Sequence, residues 1–288
     1  MFNLWYKKAR EFVFPIIINI LFFDDTTKSL PWTVIAINNE WWFMTVSHNF
    51  EVCSLYKEHK KEIESYEKKI KEIDWIKKIS KLWRERKLKK IKYNPKWIKK
   101  FGILIGKKNT VIEKIIPYNK HDLALFKINK KEVGLIKDFP KIKEIKTIKH
   151  GKSLCKLWFP FSNIGVKFNE EKKQFIWEQY SLTLFPIEWI YTRNIIVGYD
   201  SKLECDIKFL ETSSAWIKWQ SWWPIFDINW NIYAIQSKNQ TLPLDFIWEK
   251  KDWEKITTHE QFINLWIWIH SDTIIKALKK NYINFQLI

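Results

Sequence analysis

Trp219-Gln220-Ser221-Trp222-Trp223-Pro224 is the stretch whose reading decides the rest of the chain. Two bulky indoles after a serine and before a proline make poor chemical sense. With glycine in place of each tryptophan the stretch becomes Gly-Gln-Ser-Gly-Gly-Pro, a loop free to adopt backbone angles that side chains forbid. Composition points the same way. A chain of this length carries about 20 glycines at ordinary usage, whereas this one has 6 glycines and 19 tryptophans. Reading most of the tryptophans as glycine restores an ordinary count. The simplest origin is a genetic code in which a stop codon means glycine, translated as though it meant tryptophan. The competing reading is a chain truly rich in tryptophan, a binder of carbohydrate or of membrane surfaces.

Read with glycine, the loop resembles the nucleophile loop of serine proteases with the chymotrypsin fold. Upstream, Trp32-Thr33-Val34-Ile35-Ala36-Ile37 is a strand. Asn38-Asn39-Glu40-Trp41 is a turn that wants positive φ at its end. Phe43-Met44-Thr45-Val46-Ser47-His48 is the returning strand, and with glycine at 32 and 41 the segment resembles the one that carries the histidine in trypsin-like proteases. His121-Asp122-Leu123-Ala124-Leu125 resembles the way the same enzymes present their aspartate. The order His48, Asp122, Ser221 is that of the family.

The second half adds detail. Gly151 to Phe161, with glycine at Trp158, resembles a strand and turn of HtrA/Deg-type proteases. Phe185 to Arg193, with glycine at Trp189, resembles another of their strands. Asn229-Trp230-Asn231 reads as an Asn-Gly turn. Leu265-Trp266-Ile267-Trp268-Ile269-His270-Ser271-Asp272 resembles the segment leading into the last helix of those domains. Ser271 or Asp272 is expected to cap that helix, from about Thr273 to Lys280. Trp177, Trp216, Trp248 and Trp253 match no family position.

Two stretches stand outside the resemblance. Lys7, Lys8 and Arg10 precede an apolar run from Phe12 to Phe23 that reads as an export signal or as a buried strand beginning near Val13. Pro15 and Asn19 interrupt the run, and no small-residue cleavage site follows. The pattern therefore favours the strand, and a cytoplasmic chain over a membrane-anchored one. Residues Leu55 to Lys100 carry Ile63, Tyr66, Ile70, Ile73, Ile76, Ile79 and Leu82 at helical spacing. Between Lys77 and Lys100 there are 12 basic residues against Glu85 alone, a large share of the net charge of +18. This is a helical insertion whose basic end is suited to nucleic acid or an anionic membrane, or is simply a solvated face of a lysine-rich chain.

The resemblance implies a mostly β fold, a double six-stranded β-barrel with a basic helical insertion in the first barrel and a C-terminal helix. The first barrel is expected over 13–140, with the insertion at 55–100, and the second over 141–288 with no PDZ domain following. It implies a serine endopeptidase: Ser221 as nucleophile, His48 as base, Asp122 as orienter, and the backbone N–H groups of Trp219 and Ser221 as oxyanion hole. Substrate backbone is expected along Ile235, Gln236 and Ser237. Ala215 and Ala234 point to a pocket without a fixed charge, for small or apolar residues. The implied partner is a protein or peptide. Alternatives are an inactive module of the same fold, or a nucleic-acid or membrane-surface binder working through the insertion. No cofactor or metal is expected, because Cys53, Cys155 and Cys205 lack ligand spacing and fit reduced thiols. The glycine reading requires that codons 222 and 223 of the coding DNA differ from the standard tryptophan codon. Sequencing the gene checks this, and standard codons there would end it.

Overall fold

In this computed structural model the described residues are 7–76, 80–105, 108–129, 136, 138–145, 148–158, 163–181, 185–213, 223–252 and 255–288. The first half holds β1 (Val13–Phe22), β2 (Thr27–Ala36), β3 (Trp42–Val46), β4 (Ile98–Ile105), β5 (Lys108–Asn109), β6 (Ile112–Tyr118) and β7 (Leu123–Ile128). They form one seven-stranded sheet in the order β5-β4-β1-β2-β3-β7-β6. Among the described residues its pairing stays open, a half-barrel with one short strand more than the six expected. The apolar run of the N-terminus is β1, and its residues Ile16 to Leu21 are buried without a break. A strand covered on both faces needs no alternation, which is why the run resembled an export signal.

The second half holds β8 (Lys141–Ile142), β9 (Ser153–Trp158), β10 (Asn163–Asn169), β11 (Gln174–Ser181), β12 (Phe185–Asp200), β13 (Cys205–Ser213), β14 (Pro224–Phe226), β15 (Asn231–Asp252), β16 (Lys255–His270) and β17 (Gln286–Leu287). Its main sheet runs β14-β9-β12-β13-β16-β15, and an added β14–β15 pairing closes those six strands into a ring. Strands β10 and β11 form a separate hairpin, which reaches the first sheet where Thr27 Oγ1 donates to the Val166 carbonyl at 2.7 Å.

The insertion is α1 (Glu51–Trp75) and α2 (Lys81–Lys89). It begins at Glu51, four residues earlier than the pattern predicts, because the turn carrying His48 runs directly into the helix. It returns to the sheet at Ile98, whose amide donates to His59 Nδ1 at 3.0 Å. The expected stripe is half-buried at Ile63, Tyr66, Ile70 and Ile73, where α1 lies on the sheet beside Phe23 and Trp97. It stops there. Ile76 and Leu82 are exposed, and Ile79 lies outside the described residues.

The C-terminal helix is α3 (Ser271–Lys280). Its cap is neither Ser271 nor Asp272 but His270, whose Nδ1 accepts from the Asp272 amide at 3.1 Å. An imidazole can take the place of the usual short polar cap here because β16 buries it fully at the helix entry.

Two turns share one construction. Asn38 Oδ1 accepts from the amides of Glu40 and Trp42 at 3.0 and 3.4 Å, and Trp41 sits at φ 66°. Asp227 Oδ1 accepts from the amides of Asn229 and Asn231 at 2.9 and 3.1 Å, and Trp230 sits at φ 68°. Each side chain closes the turn and leaves one residue in the left-handed region, where a Cβ costs about 1–2 kcal/mol. Glycine at 41 is therefore expected to be more stable than alanine at 41 by about 1 kcal/mol, and the same at 230, since both truncations remove the same indole. At Trp97, outside the left-handed region, alanine is expected to match or exceed glycine. Urea denaturation of the three pairs measures the differences.

Candidate active site

The site forms where β3 ends and β7 begins. These strands are antiparallel neighbours, with Val46 opposite Leu123, so the turn after the first lies against the turn before the second. The Ser47 amide donates to the Asp122 carbonyl at 2.9 Å and locks the two turns together. Asp122 adopts φ 55° between the 3-10 turn Asn119–His121 and β7. That left-handed geometry, which aspartate tolerates better than most residues, swings its carboxylate under His48.

Asp122 is the acceptor for a converging set of donors. His48 Nδ1 lies 2.8 Å from Oδ1 and 2.9 Å from Oδ2. The His48 amide and the Ser47 hydroxyl both reach Oδ1 at 3.1 Å. From the other half of the chain, the Ser237 hydroxyl donates to Oδ2 at 2.7 Å. Burial pushes the carboxyl pKa up, but the hydrogen bonds and charge of His48, together with the Ser237 bond, outweigh it, and the net value lies below the ordinary one. Asp122 is thus held as a carboxylate, and an ionised acceptor on Nδ1–H puts the imidazole's basic lone pair on Nε2. A cleft of about 430 Å³ opens over the pair, lined from one half by Ser47, His48 and Glu51 and from the other by Phe209, Ser237 and Lys238.

Of the residues singled out in the sequence, His48 and Asp122 are brought together and Ser237 joins them. Ala234, Ile235 and Gln236 are fully buried and hydrogen-bonded along both edges. Residues 234 and 235 pair with β14 on one side, and all three pair with β16 on the other. The Gln236 amide donates to the Trp223 carbonyl at 2.8 Å. Ala215, Trp219, Gln220, Ser221 and Trp222 lie outside the described residues.

Three residues were passed over. Ser47 carries no signal beyond its place beside His48. His121 is buried and its Nε2 lies 2.9 Å from Asp200 Oδ2, tying the turn before Asp122 to the end of β12. Burial pushes the His121 pKa down, against the raising effect of Asp200. The third is Lys156 on β9, fully buried in the second ring, with its ammonium 2.6 Å from Gln236 Oε1. Burial drives its pKa well below the ordinary lysine value. A lysine two residues after the buried Leu154, on the same strand face, was the available signal.

Among the described residues no group of three or more histidine, cysteine, aspartate or glutamate side chains is placed to hold a metal. All three cysteines are free thiols, and no described helix is long and apolar enough to cross a membrane.

The closed six-stranded ring, the half-barrel facing it, and the His–Asp pair in the cleft between them describe a chymotrypsin-like double barrel, the fold of trypsin-like proteases. Crystal structures of the Rv3671c protease from M. tuberculosis are similar in arrangement. The active form matches at a TM-score of 0.49 and 10% identity, over 98% of this chain and 85% of that one. An inactive serine-to-alanine mutant matches at 0.47 and 10% identity, over 96% and 90%. No protein-family model and no curated protein matches the sequence.

Removing the Ser237 hydroxyl takes a donor from the charged form of Asp122. Ser237→Ala is expected to raise the Asp122 pKa and to cost about 1.5–3 kcal/mol near neutral pH. Because the folded carboxyl titrates below the unfolded one, the stabilisation is present above the unfolded pKa of about 3.9 and is lost as pH falls through the folded value. The gap between wild type and variant should close in acid. Carboxyl NMR titration and urea midpoints against pH measure both effects.

Proposed function

We propose that this chain is a serine endopeptidase of the HtrA-like kind, with Ser221, His48 and Asp122 as its catalytic triad. The observation that carries the proposal is the Asp122 carboxylate bonded to His48 Nδ1, with Ser237 on its other oxygen, inside a cleft shared by both halves. Ser221 precedes Trp223 by two residues in the sequence. Trp223 is in turn joined to Gln236, the neighbour of Ser237.

In this reading His48 Nε2 takes the proton from the Ser221 hydroxyl as Oγ attacks the scissile carbonyl. Asp122 holds the tautomer and stabilises the imidazolium without taking the proton. The oxyanion is held by the backbone N–H groups of residues 219 and 221. Each such donor is worth about 3–4 kcal/mol because it is already in place before charge develops. Collapse breaks the C–N bond, the proton passes from His48 to the departing amine, and water, deprotonated by the same base, hydrolyses the acyl-enzyme.

The proposal includes glycine at 219, 222 and 223 in the working protein, and at 32, 41, 158, 189, 230, 266 and 268. Support comes from Trp41 and Trp230, whose backbone angles suit glycine and strain any side chain. Further support comes from Trp41, Trp189 and Trp266. Each buries an indole N–H that finds no acceptor among the described residues, a loss of about 1–3 kcal/mol apiece.

The test is hydrolysis of casein or a peptide library by the chain carrying glycine at these ten positions. Its Ser221→Ala derivative is expected to lose at least about 10⁴-fold in kcat, and the chain with tryptophan at all ten is expected to be inactive. Equal turnover with and without Ser221 would sink the enzyme reading.

A further inference from the structure

A second cleft, of about 820 Å³, opens at the start of β15 beside Asp227, Asn231 and Tyr233. Its rim is basic. Lys141 and Lys143 reach it from β8 and its continuation, and Lys149, His150 and Lys152 from the turn before β9. Lys141 lies opposite Asn231, and the Lys143 amide donates to the Ile232 carbonyl at 2.9 Å. Pairing therefore stays regular across both, and side chains two positions apart on such a segment share a face. The turn is brought alongside by the Gly151 amide, which donates to the Tyr191 carbonyl at 3.1 Å. Gly151 makes the approach at φ 77°, an angle that costs glycine little.

The charges in this cleft are unmatched. None of Lys141, Lys143, Lys149 and Lys152 forms an ion pair among the described residues. The one acidic side chain in the lining, Asp227, is spent on its own turn, accepting from the amides of Asn229 and Asn231 and from Asn231 Nδ2. Lys152 is held in place without being neutralised. Its ammonium donates to the Tyr233 hydroxyl at 2.6 Å and stands 4.6 Å from that ring's centroid. Burial, with the Asp227 charge, pushes the Tyr233 pKa up, so the hydroxyl stays neutral.

We propose that this cleft binds an oligophosphate, a run of linked phosphate groups of the kind carried by inorganic polyphosphate and by nucleoside triphosphates. Lysine is a point charge that meets phosphate oxygens from any direction, whereas planar carboxylates are better matched by the arginine fork. Cations contributed by two separate segments around a cavity of ligand size call for an anion with several charged groups along its length. A recess of this shape, rather than a flat basic face, favours a small anion over a membrane surface. The site owes nothing to the protease reading or to the glycine assignment. No tryptophan lines it, and Asn231 stands six residues before Ser237 on β15, about 20 Å of strand.

The test is calorimetric titration of the full chain at physiological ionic strength. Sodium tripolyphosphate is expected to bind at a single site and at least about tenfold more tightly than orthophosphate. Lys141→Gln with Lys149→Gln, both exposed, is expected to weaken tripolyphosphate at least about tenfold. Lys81→Gln with Lys89→Gln removes the same charge from α2 and should leave binding unchanged, and thermal melts establish that both double variants fold. Metal-free ATP identifies the source: tighter binding than tripolyphosphate assigns a nucleotide, weaker binding an inorganic chain, and equality a site that reads the linked phosphates alone. No binding of tripolyphosphate, orthophosphate or a hexaglutamate peptide binding as tightly, or equal weakening by the two double variants overturns the proposal. Ser221-dependent hydrolysis is untouched by any of these results, so the two readings fail separately.

Discussion

The Asp122 carboxylate is the junction on which the cleft depends, because it is mostly buried and draws its hydrogen bonds from both halves of the chain. Ser47 and His48 reach it from the first sheet and Ser237 from the second ring. An ionised oxygen pair removed from water is tolerated only with such a set of donors. Shifting either half would strand the charge. The same group therefore orients the imidazole and sets the register between the halves. The apolar seam alongside, where Phe12 meets Phe226 edge to face at 5.7 Å, contributes area but no direction. His121 and Asp200 add a second polar tie on the far side of the same turn.

The second ring shows what happens when local and global requirements conflict. Its strand order closes and its turns form, yet its centre is filled by Trp189, Trp266 and Trp268 around the Lys156 side chain. Two of those indoles have N–H groups without an acceptor among the described residues. Natural sequences tend to agree with their folds at every level. Here the disagreements gather at tryptophan: left-handed angles at 41 and 230, stranded N–H groups at 41, 189 and 266.

Much of the architecture was legible along the chain because it is written in short-range chemistry. The turns at Asn38–Trp41 and Asn229–Asn231 were readable from residues suited to positive φ, and β1, β3 and β7 from apolar runs beside turn residues. His48 and Asp122 were legible from strand context and order. Boundaries were less so. The helical insertion starts at Glu51, ahead of its apolar stripe, because the His48 turn launches it, and His270 caps the last helix because β16 buries it there.

By itself, then, the sequence determined the β class, the place of the insertion, and the local strand context of His48 and of Asp122, since each depends on neighbours within a few positions. Only the tertiary structure decided that the Ser237 hydroxyl bonds Asp122, that among the described residues the first sheet stays open while the second closes, and that Lys156 stands inside the ring beside Gln236. These depend on strands far apart in sequence meeting at one register. No local pattern encodes which buried lysine faces which distant amide; that is settled when six strands close and leave the ammonium no route to water.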